Sequence, residues 1–321
     1  MLRKLTLITC ALALLAAAQT SRPANKSIPR TKDGHPDLTG IWTNVTVTPL
    51  ERPASVKSLN LTDAEAKAFE QSQAKELSDS DGASDSPIIR AAGSSGTGGY
   101  NVLFIDRGSQ LARVDGQPRS SLISDPPDGK VPSVTADARK RLQADMMRNI
   151  KFDDIKDRPV SERCLLGFGS TSGPPMLPVL YNNNYQIVET PDTIMILVEM
   201  VHDVRFIHMN TTKHLDVQQW LGDSIGHWEG DTLVVETTNF NPLSTFRGGS
   251  PHMKVTERFT LQSPSEFLYK ATVEDPDTWA KPFTLEFPFN AAKGPVYEYA
   301  CHEGNYAAAD IMGGARKADS K

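Results

Sequence analysis

Through much of the second half of this chain apolar and polar positions alternate with a period of two. Residues 185–190 and 193–201 are two strand candidates, separated by Pro191-Asp192, a hairpin-type junction. The second run is apolar on both parities (Ile194, Ile196 and Val198 against Met195, Leu197 and Val201), which predicts a strand under cover. Residues 232–240 follow the turn Glu229-Gly230-Asp231, and 255–261 and 267–274 flank Gln262-Ser263-Pro264-Ser265. Residues 283–289 alternate cleanly, and 296–301 close the series. Near the front, Ile41, Val45 and Val47 alternate with Trp42, Asn44, Thr46 and Thr48, and 120–124 is a short strand candidate stopped by Asp125-Pro126-Pro127-Asp128-Gly129. Two helices interrupt the pattern. Thr62-Asp63-Ala64-Glu65 is a capping box opening a helix to about residue 77, and Thr135 caps a second from 136 to about 149.

At least seven strands at short spacing predict a mainly β fold, a meandering antiparallel barrel or a sandwich, with two peripheral helices. The barrel is preferred because closure removes exposed edges. Gly40-Ile41-Trp42 also resembles the Gly-x-Trp opening of lipocalin and related calycin barrels.

The first residues add an address. Arg3 and Lys4, the apolar run 5–15 and Ala16-Ala17-Ala18 form a secretory signal pattern, so 1–18 is read as a cleaved signal peptide and the protein as periplasmic or extracellular. The run is short for a permanent anchor, and nothing later reaches membrane-spanning length. Cys10 falls inside the signal; too few residues precede it for a lipoprotein cleavage box. That leaves Cys164 and Cys301, an even pair in an oxidising compartment, expected to form a disulfide rather than two buried thiols. The organisation expected is 1–18 signal, 19–57 leader and first strand, 58–150 a helical and loop-rich segment with a Ser/Asp/Gly linker at 78–99, and 151–321 a β domain packing with the 37–48 strand. A net charge of -5 gives no basic surface for nucleic acid or anionic lipid.

Candidate chemistry falls in three groups. On the run after 198, Glu199, Asp203 and Arg205 share parity while His202 faces away, which offers an acid/base His beside a carboxylate, a metal site, or a structural ion-pair cluster. A Cys164–Cys301 bridge would bring Arg163 near His302 and Glu303, with Asn305 and Tyr306 following, either as a site or as a clasp on the terminal segment. Glu236, with Asn239, Arg247, Glu257 and Arg258 nearby, reads as an inward carboxylate facing a neighbouring arginine, either orienting a ligand or holding register. The candidates are thus His202, Asp203, His302 and Glu303 for proton transfer, and Arg163, Arg205, Glu236, Asn239, Arg258, Asn305 and Tyr306 for binding. No zinc-protease motif, nucleophile elbow, Walker loop or dinucleotide fingerprint occurs, and Ser170 and Ser172 sit in an unmarked Gly/Ser/Pro loop. No cofactor is predicted, with a metal at His202 or His302 left open. Trp228 and Trp279 could cover a barrel end, as core packing or as a platform for a sugar or aromatic ligand.

Long strings carry a resemblance over nearly the whole mature chain. They include 36–44 (PDLTGIWTN), 48–53 (TPLERP), 181–187 (YNNNYQI), 220–224 (WLGDS), 230–240 (GDTLVVETTNF) and 297–306 (YEYACHEGNY). By these the chain resembles a family of exported bacterial proteins of unknown function, which implies export and nothing about a reaction. The expectation is a small-molecule-binding barrel of the periplasm or exterior. The alternatives are a periplasmic enzyme with a His/carboxylate/Arg site in the barrel mouth, and a structural or envelope-interaction protein.

Overall fold

The computed structural model of the protein describes residues 27–79, 105–149, 154–304 and 306–319. The first part contains strand β1 (Gly40–Thr43), helix α1 (Asp63–Asp79), short strands β2 (Arg113–Val114), β3 (Gln117–Pro118) and β4 (Ile123–Asp125), and helix α2 (Ala136–Asn149). The second contains β5 (Asn184–Glu189), β6 (Thr193–Val198), β7 (Val204–His208), β8 (Asp223–Glu229), β9 (Thr232–Thr238), β10 (Lys254–Ser263), β11 (Glu266–Glu274), β12 (Phe283–Ala291) and a third helix, α3 (Ala307–Asp319). The expected signal peptide lies outside the described residues, as does the 78–99 linker apart from its first two positions.

Nine strands close into a barrel in the order β1, then β5 to β12, with the end of β12 returning to β1 and its start pairing β4. Closure comes from β1, which pairs β5 through Trp42↔Tyr185 and β12 through Trp42↔Ala291. The barrel is therefore the correct member of the barrel-or-sandwich pair. It is not wholly antiparallel, because β7 and β8 run parallel and share only the pairs Ile207↔Ser224 and His208↔Ile225. A parallel step needs a crossover, supplied here by residues 209–222.

Aromatic side chains fill the interior. Phe259, Phe267, Tyr269, Phe283, Phe287, Phe289 and Tyr185 are almost wholly buried. Phe267 and Phe289 stack at 4.8 Å between centroids, and Trp42 meets Phe267 edge-on at the same distance. Each such burial contributes about 1.5–3 kcal/mol. They alternate along β10, β11 and β12, so the pleat itself delivers every ring to one face.

Both expected helices start at their caps. Glu65 accepts the Thr62 N–H at 2.8 Å while Thr62 Oγ1 accepts the Glu65 N–H, and Thr135 Oγ1 accepts the Ala138 N–H. Other expectations are corrected. The first strand stops at Thr43, and its buried parity is that of Trp42 and Asn44. The run expected over 193–201 ends at Val198, where Val201 and His202 turn the chain with positive φ of 60° and 43°. Residues 296–301 form no strand, because β1 already occupies the free edge of β12. The Cys164–Cys301 disulfide is present, with Cα atoms 5.9 Å apart.

Candidate functional site

Arg205 is the inward residue of β7 nearest its start, and it is 2% exposed. Its guanidinium meets Glu257 of β10, Nη1 to Oε2 at 2.9 Å and Nη2 to Oε1 at 3.1 Å. Tyr269 donates its hydroxyl to the same Oε1 at 2.7 Å and accepts the Met176 N–H. From there the polar chain continues through Asn44, which donates to Met176 O and to Tyr185 Oη, and Tyr185 donates to Thr171 O. Burial raises both tyrosine hydroxyls well above their usual range. These contacts grip the loop 171–177, so one end of the barrel is stoppered by main chain held on buried hydroxyls.

Beside Arg205 the wall is thin. Only the last two residues of β7 pair with β8, and the crossover covers the rest. Gly226 permits even this much approach, since a Cβ there would lie 2.8 Å from Ile207 Cγ2 and 2.8 Å from Met209 Sδ. The gap is a cleft of about 570 Å³ open to solvent. Apolar Val204, Phe206, Leu215 and Trp220 line it together with Arg205, Asp203 and Asp223. Phe206 and Leu215 are more than half exposed there.

Asp203 accepts the Ser172 hydroxyl in a short hydrogen bond and the Gly167 N–H at 3.3 Å. Burial raises its carboxyl, against the opposing pull of those two donors and of His202. On the crossover, His214 places Nδ1 2.8 Å from Asp223 Oδ2 and Nε2 3.3 Å from Glu236 Oε1. Both ring nitrogens are engaged, so this histidine fastens the crossover to the wall and has no nitrogen left for a substrate. Sequence reasoning missed it, since 209–222 carries no periodicity.

The structure thus unites Asp203 and Arg205 at one cleft and disperses the other candidates. His202 is exposed, and among the described residues its ring makes no hydrogen bond or ion pair. Glu236 points outward, not inward, to His214 and to Lys254 at 3.6 Å. The reason is register, because Leu233, Val235 and Thr237 supply the inner face of β9. Arg258 also faces outward, to Glu229 at 2.8 Å. The inward carboxylate is Glu257, and its arginine is Arg205. Asn239 donates to Leu215 O, bracing the crossover. Around the disulfide, His302, Glu303 and Tyr306 are exposed, Arg163 makes no ion pair with Glu303, and Asn305 lies outside the described residues. Among the described residues no group of three or more His, Cys, Asp or Glu side chains is placed to hold a metal ion.

No family model matches this chain, and no curated protein matches it. Among solved structures, a secretary abundant heat soluble (SAHS) protein from Ramazzottius varieornatus is similar over 41% of this chain and 82% of that one, with 11% identity and a TM-score of 0.25. The barrel assignment rests on the strand pairing of this chain itself.

Proposed function

We propose that this is an exported small-molecule-binding protein whose ligand docks in the lateral cleft between β7 and the crossover. One observation carries the reading. Where the wall is thinnest, exposed apolar side chains stand beside the buried Arg205 and Asp223 and the half-buried Asp203, the mixture that ligand sites favour. The ligand that fits is amphipathic, with an apolar body on Phe206, Leu215 and Trp220 and a polar end toward the carboxylates. A lumen filled with rings favours this lateral position over the barrel interior. The disulfide is compatible with export, and among the described residues no helix is long and apolar enough to cross a membrane.

Native mass spectrometry on protein from the exported fraction tests both parts. The expected result is a mature chain starting near Gln19 and an organic passenger released on denaturation. Phe206→Ser should lose that passenger with an unchanged melting temperature, since the ring is 52% exposed. A bare wild-type mass, with no amphipathic compound quenching Trp220 fluorescence relative to Trp220→Phe, refutes the binding reading.

A further inference from the structure

A second cleft, independent of the lateral one, lies at the opposite rim of the barrel. There the leader folds back over the strand ends. Arg30 grips Asp231 with two parallel hydrogen bonds of 2.8 and 2.7 Å, anchoring the leader on the β8–β9 turn. This sets the His35 ring flat on Trp228, with centroids 4.7 Å apart and planes 4° from parallel. The adjoining cleft has a volume of about 610 Å³, and Ile194 and Met209 supply its apolar part. Glu189 of β5 stands in its wall, with Oε1 accepting the Leu38 N–H at 2.6 Å and Oε2 making no hydrogen bond among the described residues.

We propose that this rim cleft binds a neutral saccharide unit. Each ring covers one face of the other, and an outer face of the stack is of the kind that receives the C–H face of a sugar. The rings close on each other too tightly to admit a planar ligand between them. The free Glu189 oxygen, together with Asn210 and Thr31, offers hydrogen-bonding groups for ring hydroxyls. Charge argues for a neutral ligand, because Lys32 opposes a cation while Asp33 opposes an anion. Burial also lifts the Glu189 carboxyl to about 7, so near neutrality it both donates and accepts, which suits hydroxyl partners.

The test is saturation-transfer NMR and calorimetry on the mature protein with maltotriose, cellotriose and triacetylchitotriose, and with indole as the planar competitor. At least one saccharide should bind, with transfer concentrated on the C–H protons of one ring face. His35→Ala and Glu189→Gln should each weaken it by roughly three- to tenfold, the loss of one stacking or hydrogen-bonding contact. Phe206→Ser should leave it unchanged, which separates this site from the lateral cleft. If His35→Ala unfolds the leader, Glu189→Gln, which keeps the acceptor for Leu38, decides alone. Three outcomes overturn the proposal: no binding by any of the saccharides, indole binding more tightly than all of them, or saccharide binding that survives Glu189→Gln and is lost in Phe206→Ser.

Discussion

Arg205→Met is the sharpest perturbation the structure offers. It removes the counter-charge of Glu257, which is 0% exposed, and leaves that carboxylate with the Tyr269 hydroxyl as its one remaining donor among the described residues. Breaking a buried pair from one side costs about 3–5 kcal/mol, because the surviving charge stays desolvated. For a chain of this size that is a fall of roughly 10 °C in melting temperature. Arg205→Met/Glu257→Leu removes both charges and replaces them with groups that can pack. It should lie within about 2 kcal/mol of wild type, since buried pairs often exchange for apolar residues at little cost. Tyr269 keeps a partner in the double variant, because it still accepts the Met176 N–H. Urea unfolding followed by circular dichroism and tryptophan fluorescence measures the three variants, Glu257→Leu included, and closes the cycle. A single-variant cost below about 1 kcal/mol would refute the reasoning. It would mean that water reaches the surviving Glu257 carboxylate through the lateral cleft, whose wall Arg205 helps to form.

Other expectations are simpler to check. The Glu189 carboxyl sits near 7 in the folded state against 4.5 when free, chiefly through burial and with Asp37 adding to it. Folding therefore takes up a proton between those values, and wild-type stability falls as pH rises from about 4.5 through about 7. After discounting for partial exposure the loss is about 1–2 kcal/mol, and Glu189→Gln should flatten it in a pH series of melting curves. Cys164→Ser/Cys301→Ser opens a loop spanning 137 residues. The chain-entropy ceiling is about 5 kcal/mol, and a measured loss of about 2–4 kcal/mol is expected in denaturant titrations; equal stability of the two forms would contradict it. Gly226→Ala forces a Cβ against Ile207 and Met209 and should cost about 1–3 kcal/mol while increasing amide exchange at β7.

The alternation of β10, β11 and β12 was legible because each strand has one fully buried face, and both expected helices carried side-chain caps. β7 and β8 were not legible for the opposite reason. On β7 the inward positions are Arg205 and Ile207 while the outward ones are Val204 and Phe206, so hydrophobicity points the wrong way. On β8 the inward Ser224 is a polar residue satisfied by Thr237, and Gly226 has no side chain to read. In β9 three consecutive buried residues, Leu233, Val234 and Val235, erase the parity, and only pairing to β10 settles that Glu236 faces out. α3 escaped notice because Gly313 and Gly314 lower its helix propensity. The inward carboxylate expected was Glu236 with Arg258 or Arg247, and the structure places Glu257 with Arg205 there instead. That address depended on register.

Those unreadable strands are also where binding chemistry can reside. A closed barrel packed with aromatic rings leaves its lumen little space for a guest, so the proposed binding uses places where the sheet is incomplete. The barrel has such places in its side wall and at one rim. At the lateral cleft the parallel pairing of β7 with β8 extends over only two residue pairs. At the rim the leader, held by Arg30 and Asp231, lies across the strand ends and contributes a ring in place of a strand. Each gives up backbone ladder bonds and gains a concavity with exposed side chains. The elements that weaken the hydrophobic pattern, an inward arginine, a strand glycine and a polar crossover, are the ones that open the wall.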